Sequence, residues 1–239
     1  MKILLTSSPF TVEKNKETLD KSKIEFLYFK TIEFKPIRKT PFDLKEYEWV
    51  IISSRSVYHF LSPLVKKEDW TKVKIAAVGE ATSRYLRENN LEVEFVSSVF
   101  TGKAFAKEFI NKYPSVKGKI LRPVSSLASS ELDNILKEAG MKVERVPLYK
   151  TVCPRYSSHE VEDLKKKNFK GIVFTSPSSW ENFKKIMRDN IDSLLKQKVI
   201  AVLGPSTARA LEKDGYTDYI MPSKYTLSHL ITKMEGELS

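Results

Sequence analysis

The sequence predicts an α/β protein made of two similar doubly wound domains, each with a parallel sheet covered by helices on both faces. Short apolar runs alternate along the 239 residues with segments of helical period, and such alternation is typical of parallel sheets. In addition, residues 75–86 (IAAVGEATSRYL) return as residues 200–211 (IAVLGPSTARAL). A repeat at this distance indicates two similar domains, and we expect a ligand cleft between them.

The predicted strands are short apolar runs bounded by polar or turn residues. They cover residues 2–5, 24–29, 49–53, 74–78, 92–96, 119–122, 142–148, 171–175, 199–203 and 218–221. Helical periodicity lies between them, for example at 83–89, 103–111, 130–139 and 208–213. Right-handed crossovers would place the strand carboxyl ends and the helix amino ends at one edge of each sheet, where open α/β sheets bind ligands.

Composition limits the class of protein. The net charge of +11 could attract a polyanionic small molecule, anionic lipid or nucleic acid. The lysines are scattered and no nucleic-acid-binding module is recognisable, which disfavours nucleic acid. No apolar run approaches the roughly 18 residues of a membrane span. The single cysteine, Cys153, excludes an intrachain disulfide and a thiolate metal cluster, so we expect a cytoplasmic protein.

Hydroxyl side chains are concentrated where predicted strands lead into predicted helices. The turns read SSRS at 53–56, SS at 125–126, TSPSS at 175–179 and GPST at 204–207. Ser and Thr are preferred helix N-caps, so each turn alone has a purely structural interpretation. Gathered around one cleft, the same hydroxyls, backbone N–H groups and helix amino ends would bind carboxylates or phosphates.

Several catalytic motifs are missing from the sequence. It has no Walker loop, no G-x-G-x-x-G after a strand and no G-x-S-x-G turn. His59, His159 and His229 lack the spacing of metal ligands. A site built from hydroxyls, amides and a few arginines suits binding and positioning better than strong acid–base chemistry.

Four motifs taken together resemble the uroporphyrinogen-III synthase family. They are VFTSPSS at 173–179, VLGPSTA at 202–208, AVGEAT at 77–82 and VPLYKT at 146–151, in the family's order and spacing. The resemblance implies a monomer with a discontinuous first domain, residues 1–31 and 153–239, and a second domain, residues 38–146. Residues 32–37 and 147–152 would be linker strands, a hinge on which the domains open and close.

The resemblance also implies a reaction. The family closes hydroxymethylbilane, a linear tetrapyrrole with eight carboxylates, while inverting ring D and releasing water, and no metal or organic cofactor is implied. Such an enzyme is a lyase of tetrapyrrole biosynthesis. Because uncatalysed closure gives the non-inverted isomer, the enzyme must chiefly hold the reactive ends in one geometry.

Individual residues match family positions. Tyr149 matches a tyrosine that reaches the cleft, where its phenol would protonate the departing hydroxyl; packing within the linker is the alternative. Arg122, at the end of its predicted strand, would be a bidentate carboxylate clamp. The complete set of expected substrate-binding residues is Ser53, Arg55, Thr82, Arg122, Thr175, Ser176, Ser178, Ser206 and Thr207.

Two departures from the family pattern leave alternatives open. Many members carry Thr-Arg-Pro after the first strand, whereas residues 6–9 here read TSSP. The turn at 53–56 is also one residue shorter than its repeat partner. The missing arginine admits a non-enzymatic tetrapyrrole-binding or regulatory module. A nucleic-acid-binding protein, suggested only by the net charge, is a weaker alternative.

Overall fold

A computed structural model describes residues 1–99 and 101–237. Its strands are β1 (Lys2–Ser7), β2 (Glu25–Lys30), β3 (Glu33–Pro36), β4 (Tyr47–Ile52), β5 (Lys74–Ala77), β6 (Phe95–Val96), β7 (Lys119–Ser125), β8 (Lys142–Val152), β9 (Gly171–Phe174) and β10 (Val199–Val202). None of the helices in these residues has both the length and the apolar character that crossing a bilayer requires.

The helices lie between the strands, as the alternating pattern predicts. The α-helices are α1 (Pro9–Lys14), α2 (Lys16–Asp20), α3 (Arg55–Leu61), α4 (Glu80–Glu88), α5 (Gly102–Lys112), α6 (Glu131–Glu138), α7 (Ser158–Lys166), α8 (Pro177–Met187), α9 (Ile191–Leu195), α10 (Pro205–Glu212) and α11 (Leu227–Glu237). Short 3-10 helices cover Leu44–Glu46, Ser62–Leu64, Lys67–Lys72 and Arg188–Asn190.

The chain divides by its contacts into two compact units. The first comprises Met1–Glu33 and the described part of Val152–Ser239, and the second is Phe34–Thr151. The boundaries between the units fall within the segments predicted as linkers, residues 32–37 and 147–152. These segments contain β3 and the end of β8, which are neighbours in one sheet.

The first unit contains a four-stranded sheet in the order β10-β9-β1-β2, with parallel pairing throughout. The order reverses direction between β1 and β9. Side chains alternate between the two faces of β1: Leu4 packs with Trp180 on one face, whereas Ile3 and Leu5 pack with Leu230 on the other. Both faces are therefore buried under helices.

The second unit contains a six-stranded sheet in the order β3-β8-β7-β4-β5-β6, parallel from β8 to β6. Its order reverses between β4 and β7. Along β4, Val50 and Ile52 pack into one core cluster and Trp49 and Ile51 into another. The predicted fold class, α/β with parallel sheets wound on both faces, is confirmed.

Some predicted strand bounds are wrong. Residues 218–221 form only an isolated bridge, between Ala201 and Ile220, and the run at 92–96 contributes the two residues of β6. β7 extends beyond the predicted end to Ser125. Pro123, which has no N–H to donate, lies beyond the last residue of β7 that pairs with β4, Leu121, and is paired with Val146 of β8.

Candidate functional site

The carboxyl edge of the first unit's sheet is lined with hydroxyl side chains. Ser7 ends β1, Thr175 follows β9, and Ser206 lies shortly after β10. Neighbouring parallel strands end at the same edge, so these three turns adjoin one another. Each turn leads into a helix with proline in its first turn, namely α1, α8 and α10, and proline is preorganised for that position.

Thr175 is bonded into the point where the strand order reverses. Its Oγ1 donates to Thr6 O over 3.1 Å and lies 3.0 Å from Ser7 Oγ. Thr6 Oγ1 in turn donates to Val173 O over 2.8 Å. These contacts join the ends of β9 and β1, so the hydroxyl of Thr175 stabilises the turn as well as lining it.

Ser176 and Ser178 occupy the start of α8. Ser176 is the N-cap: its Oγ accepts from Ser179 N over 3.1 Å, and its N donates to Ser179 Oγ over 3.1 Å. Ser178 is exposed, with its Oγ 3.0 Å from Ser176 Oγ. Capping alone would explain Ser176, whereas Ser178 presents a hydroxyl that the helix does not need.

The start of α10 lacks a side-chain cap. Its N-cap is Gly204, beside the exposed Ser206 and the buried Thr207. Tyr225 is 57% exposed, and its ring lies against Gly204, where an added Cβ would come within 3.4 Å of Tyr225 Cγ. An uncapped helix amino end leaves N–H groups that an anion can accept from.

The second unit repeats this arrangement at the end of β4. Ser53 follows the strand, and Ser54 is the N-cap of α3, accepting from Val57 N over 3.3 Å. The Arg55 guanidinium lies 4.9 Å from the centroid of the Tyr85 ring. Arg55 is half-buried at this edge of the sheet, which keeps a cation beside the hydroxyl turn.

Thr82 occupies the neighbouring turn, after β5. It is the third residue of α4, whose N-cap Gly79 makes no side-chain cap bond, and it is 8% exposed. Glu80 begins the same helix and would repel an anion, but its carboxylate lies 3.9 Å from Arg87 Nη1. Thr82 and Thr207 thus hold the same place in the two units, three residues after an uncapped glycine.

Tyr149 combines a packed ring with a polar environment for its hydroxyl. The ring stacks on Phe60, with centroids 4.5 Å apart, and meets Phe34 edge-on at 5.5 Å; the residue is 5% exposed. Burial raises the pKa of the phenol, and side-chain hydrogen bonds with Ser54 and Ser56 offset part of the rise. The phenol is therefore protonated at neutral pH and belongs to the hydroxyl turn after β4.

Arg122 does not lie where a carboxylate clamp is expected. Because β7 continues to Ser125, Arg122 is an interior residue of the strand, and its Nε lies 3.2 Å from Asp133 Oδ1. Both side chains are buried, at 6% and 2% exposure. A buried guanidinium that is paired with a carboxylate is not available to a substrate carboxylate. The prediction that Arg122 clamps a substrate carboxylate is therefore wrong.

Arg145 is an arginine of this region that the sequence alone does not single out. It lies on β8, next to Arg122 in register, and its Nε lies 3.1 Å from Asp133 Oδ2. In the sequence, only its charge within a strand-like run distinguishes Arg145.

No group of His, Cys, Asp and Glu side chains within the described ranges, 1–99 and 101–237, is arranged to hold a metal ion.

Fold and site together define a class of protein: a duplicated, doubly wound α/β protein whose sheets present hydroxyl-rich, anion-compatible turns. The sequence matches the family described as uroporphyrinogen-III synthase HemD over residues 14–232. The chain belongs to this family.

Individual proteins similar to this chain bear names of the same family. The chain is 29% identical over 198 residues to the porphyrin biosynthesis protein HemD of Ruminiclostridium josui, covering 80% of this chain but 38% of that relative. A Methanocaldococcus jannaschii protein provisionally named uroporphyrinogen-III synthase is 24% identical over 239 residues, covering 97% of this chain and 96% of its own length. The crystal structure of uroporphyrinogen-III synthetase from Helicobacter pylori shares the fold, with a TM-score of 0.68, 18% identity and complete coverage of both chains.

Proposed function

We propose that this chain is a uroporphyrinogen-III synthase, a lyase that closes hydroxymethylbilane with inversion of ring D and loss of water. Family membership over residues 14–232 carries the proposal. The hydroxyl turns at the carboxyl edge of each sheet support it, because a substrate with eight carboxylates needs many hydrogen-bond donors and few apolar contacts. The net charge of +11 favours the same kind of ligand.

Positioning is the main task we assign to the site. Turns of both domains would contact one substrate molecule. The second domain would contribute Ser53, Arg55 and Thr82, and the first domain would contribute Thr175, Ser176, Ser178, Ser206 and Thr207. Holding ring A and ring D in a single geometry lowers the entropic part of the barrier to closure. It also selects attack by the substituted carbon of ring D over attack by its free carbon.

Tyr149 would assist the first step. The C–O bond of the ring A hydroxymethyl group breaks as the pyrrole supplies electrons, and the oxygen takes a proton and leaves as water. The cation that remains becomes the azafulvene when its pyrrole N–H loses a proton. A phenol whose pKa is raised by burial stays protonated and can donate that proton. The later steps would be attack by ring D to form a spiro intermediate, fragmentation, and reclosure with ring D inverted.

Three further properties stay proposals. The resemblance supports a monomer and a reaction without a cofactor, and the single cysteine, Cys153, supports a cytoplasmic location.

The alternative function is a tetrapyrrole-binding or regulatory module without turnover. It is favoured by one observation: Ser7, fully buried, follows Thr6 where many family members carry arginine.

An isomer assay tests the proposal. Hydroxymethylbilane generated enzymatically is supplied to the protein and to a heat-denatured control, the products are oxidised, and the uroporphyrin isomers are separated by chromatography. The proposal predicts mainly isomer III with the native protein and isomer I with the control. Isomer I alone in both reactions would exclude the enzyme, and binding of the tetrapyrrole without closure would then support the alternative.

A further inference from the structure

A cluster of charged side chains joins β7, β8 and α6, and its cations outnumber its carboxylate. Asp133 lies between Arg122 and Arg145, with ion-pair distances of 3.2 and 3.1 Å. The charge of Lys137 also favours the ionised form of the Asp133 carboxylate. The side chains of Asp133 and Arg122 are buried, whereas that of Arg145 is 26% exposed. Excess positive charge therefore reaches the surface through Arg145.

Arg145 is also bonded to the turn between β7 and α6. Its Nη2 donates to Ala128 O over 2.7 Å. Near the start of this turn, Ser126 N donates to Tyr149 O over 2.8 Å. The turn is thus attached to β8 at two points. It lies at the carboxyl end of β7, beside β4, where the strand order of this sheet reverses and ligands of such sheets bind.

The geometry of Arg145 suits a carboxylate ligand. A guanidinium has five N–H donors. One Nη2–H donates to Ala128 O and Nε lies in the ion pair with Asp133, so about three N–H groups on Nη1 and Nη2 remain. Because those two contacts restrict the guanidinium, little side-chain entropy is left to lose when a carboxylate binds in the bidentate manner that arginine favours. Leu127, 79% exposed in the same turn, offers an apolar surface to the ring that carries the carboxylate.

We propose that Arg145 binds a substrate carboxylate at the β7–α6 turn and that Asp133 is a positioning residue that orients its guanidinium. The assignment rests on the proposed function, since it takes the substrate to be a polycarboxylate. It gives Arg145 the role that the sequence suggested for Arg122.

The test compares R145Q with K142Q. Lys142 is exposed at the amino end of β8, whereas the β7–α6 turn lies at the carboxyl end of β7, so K142Q loses the same charge from the same strand away from the turn. KM and kcat for isomer III formation are measured at low and moderate salt. We expect R145Q to raise KM about tenfold or more, with a smaller change in kcat. We also expect its KM to depend less on salt than that of the wild type, because one charge contact is gone. K142Q should leave KM and the salt dependence of KM unchanged.

Two results would overturn the assignment: an R145Q KM no higher than that of K142Q, or a raised KM with the salt dependence of the wild type. If R145Q does not fold by its thermal transition, R145K keeps a cation beside Asp133 but lacks the guanidinium fork, and its KM should rise with a smaller loss of salt dependence. An R145K enzyme with the wild-type KM would then overturn it. Wild-type protein that makes only isomer I would contradict the proposed function as well, whereas isomer III with unaffected arginine variants contradicts only the role of Arg145.

Discussion

Phe60 stacks on Tyr149 with the ring planes inclined by 23°, and the Tyr149 hydroxyl interacts with Ser54 and Ser56 at the start of the helix that carries Phe60. The ring is part of the second unit's core, and the hydroxyl is part of its polar edge. The two interpretations of this tyrosine, packed aromatic and proton donor, are therefore compatible: packing fixes the direction in which the phenol points.

Tyr149→Phe separates these two roles. The ring and its stacking on Phe60 are kept, so we expect the free energy of unfolding to change by no more than about 1.5 kcal/mol, the usual net value of a hydrogen bond. We expect kcat to fall by a few-fold, less than the roughly 100-fold of a full general-acid contribution, because the tyrosine assists a step that positioning controls.

Tyr149→Ala is the contrasting variant. It removes a buried ring and should lower the free energy of unfolding by about 3–5 kcal/mol, measured by urea titration. A Tyr149→Phe enzyme with wild-type kcat would exclude the acid role and leave the packing role intact.

Thr82 and Thr207 are expected to bind carboxylates through their hydroxyls. Thr→Val at either position keeps the shape of the side chain and removes the hydroxyl, so kcat/KM should fall about tenfold or more, as for loss of a hydrogen bond to a charged group. Thr→Ser restores a hydroxyl and should stay within a few-fold of the wild type. Equal activities of the Val and Ser variants would show that the hydroxyl is not used.

Ser176 and Ser178 allow binding to be separated from capping. Ser176→Ala removes an N-cap and should cost about 1 kcal/mol of stability, together with any substrate contact. Ser178→Ala leaves the cap intact and should leave the thermal transition unchanged while raising KM. A Ser178→Ala enzyme with the wild-type KM would assign this turn to capping alone.

Tyr156 is expected to make stability depend on alkaline pH. Burial is the first cause that raises its pKa, from 10.0 to about 12, while its hydroxyl donates to Lys30 O over 2.8 Å. The unfolded chain ionises first, so this stabilisation is complete below pH 10.0 and is lost as the pH rises through about 12.

Tyr156→Phe is the matched control, because it keeps the stacking on Phe29, at 4.6 Å between centroids, and cannot ionise. Urea unfolding at pH 8 and pH 11 should show a larger loss of stability in the wild type than in the variant. Equal losses would contradict the role of Tyr156.

Local patterns predicted the sheets well because buried parallel strands are nearly continuous apolar runs, as in β4 and β9. They failed where pairing decides the outcome: residues 218–221 are apolar enough for a strand but pair at one bridge only. They also ended β7 at Arg122, whereas its pairing with β8 continues to Ser125.

The site residues show the same limit. Hydroxyl turns could be predicted because strand ends and N-caps are local features. The burial of Arg122 could not, since it depends on Asp133, which comes from the next helix and also faces Arg145 on the following strand. A side-chain network of this kind is fixed by register, which a single sequence does not reveal.

In the proposed mechanism the hydroxyl turns, more than proton transfer, direct ring closure. The most direct test is the share of isomer III made by the Thr82→Val/Thr207→Val double variant, beside Tyr149→Phe, at an enzyme concentration where the wild type gives mainly isomer III. We predict that the double variant shifts the product toward isomer I, because spontaneous closure overtakes the slowed enzyme, while Tyr149→Phe still yields mainly isomer III. A wild-type share of isomer III from the double variant, with isomer I from Tyr149→Phe, would contradict this mechanism.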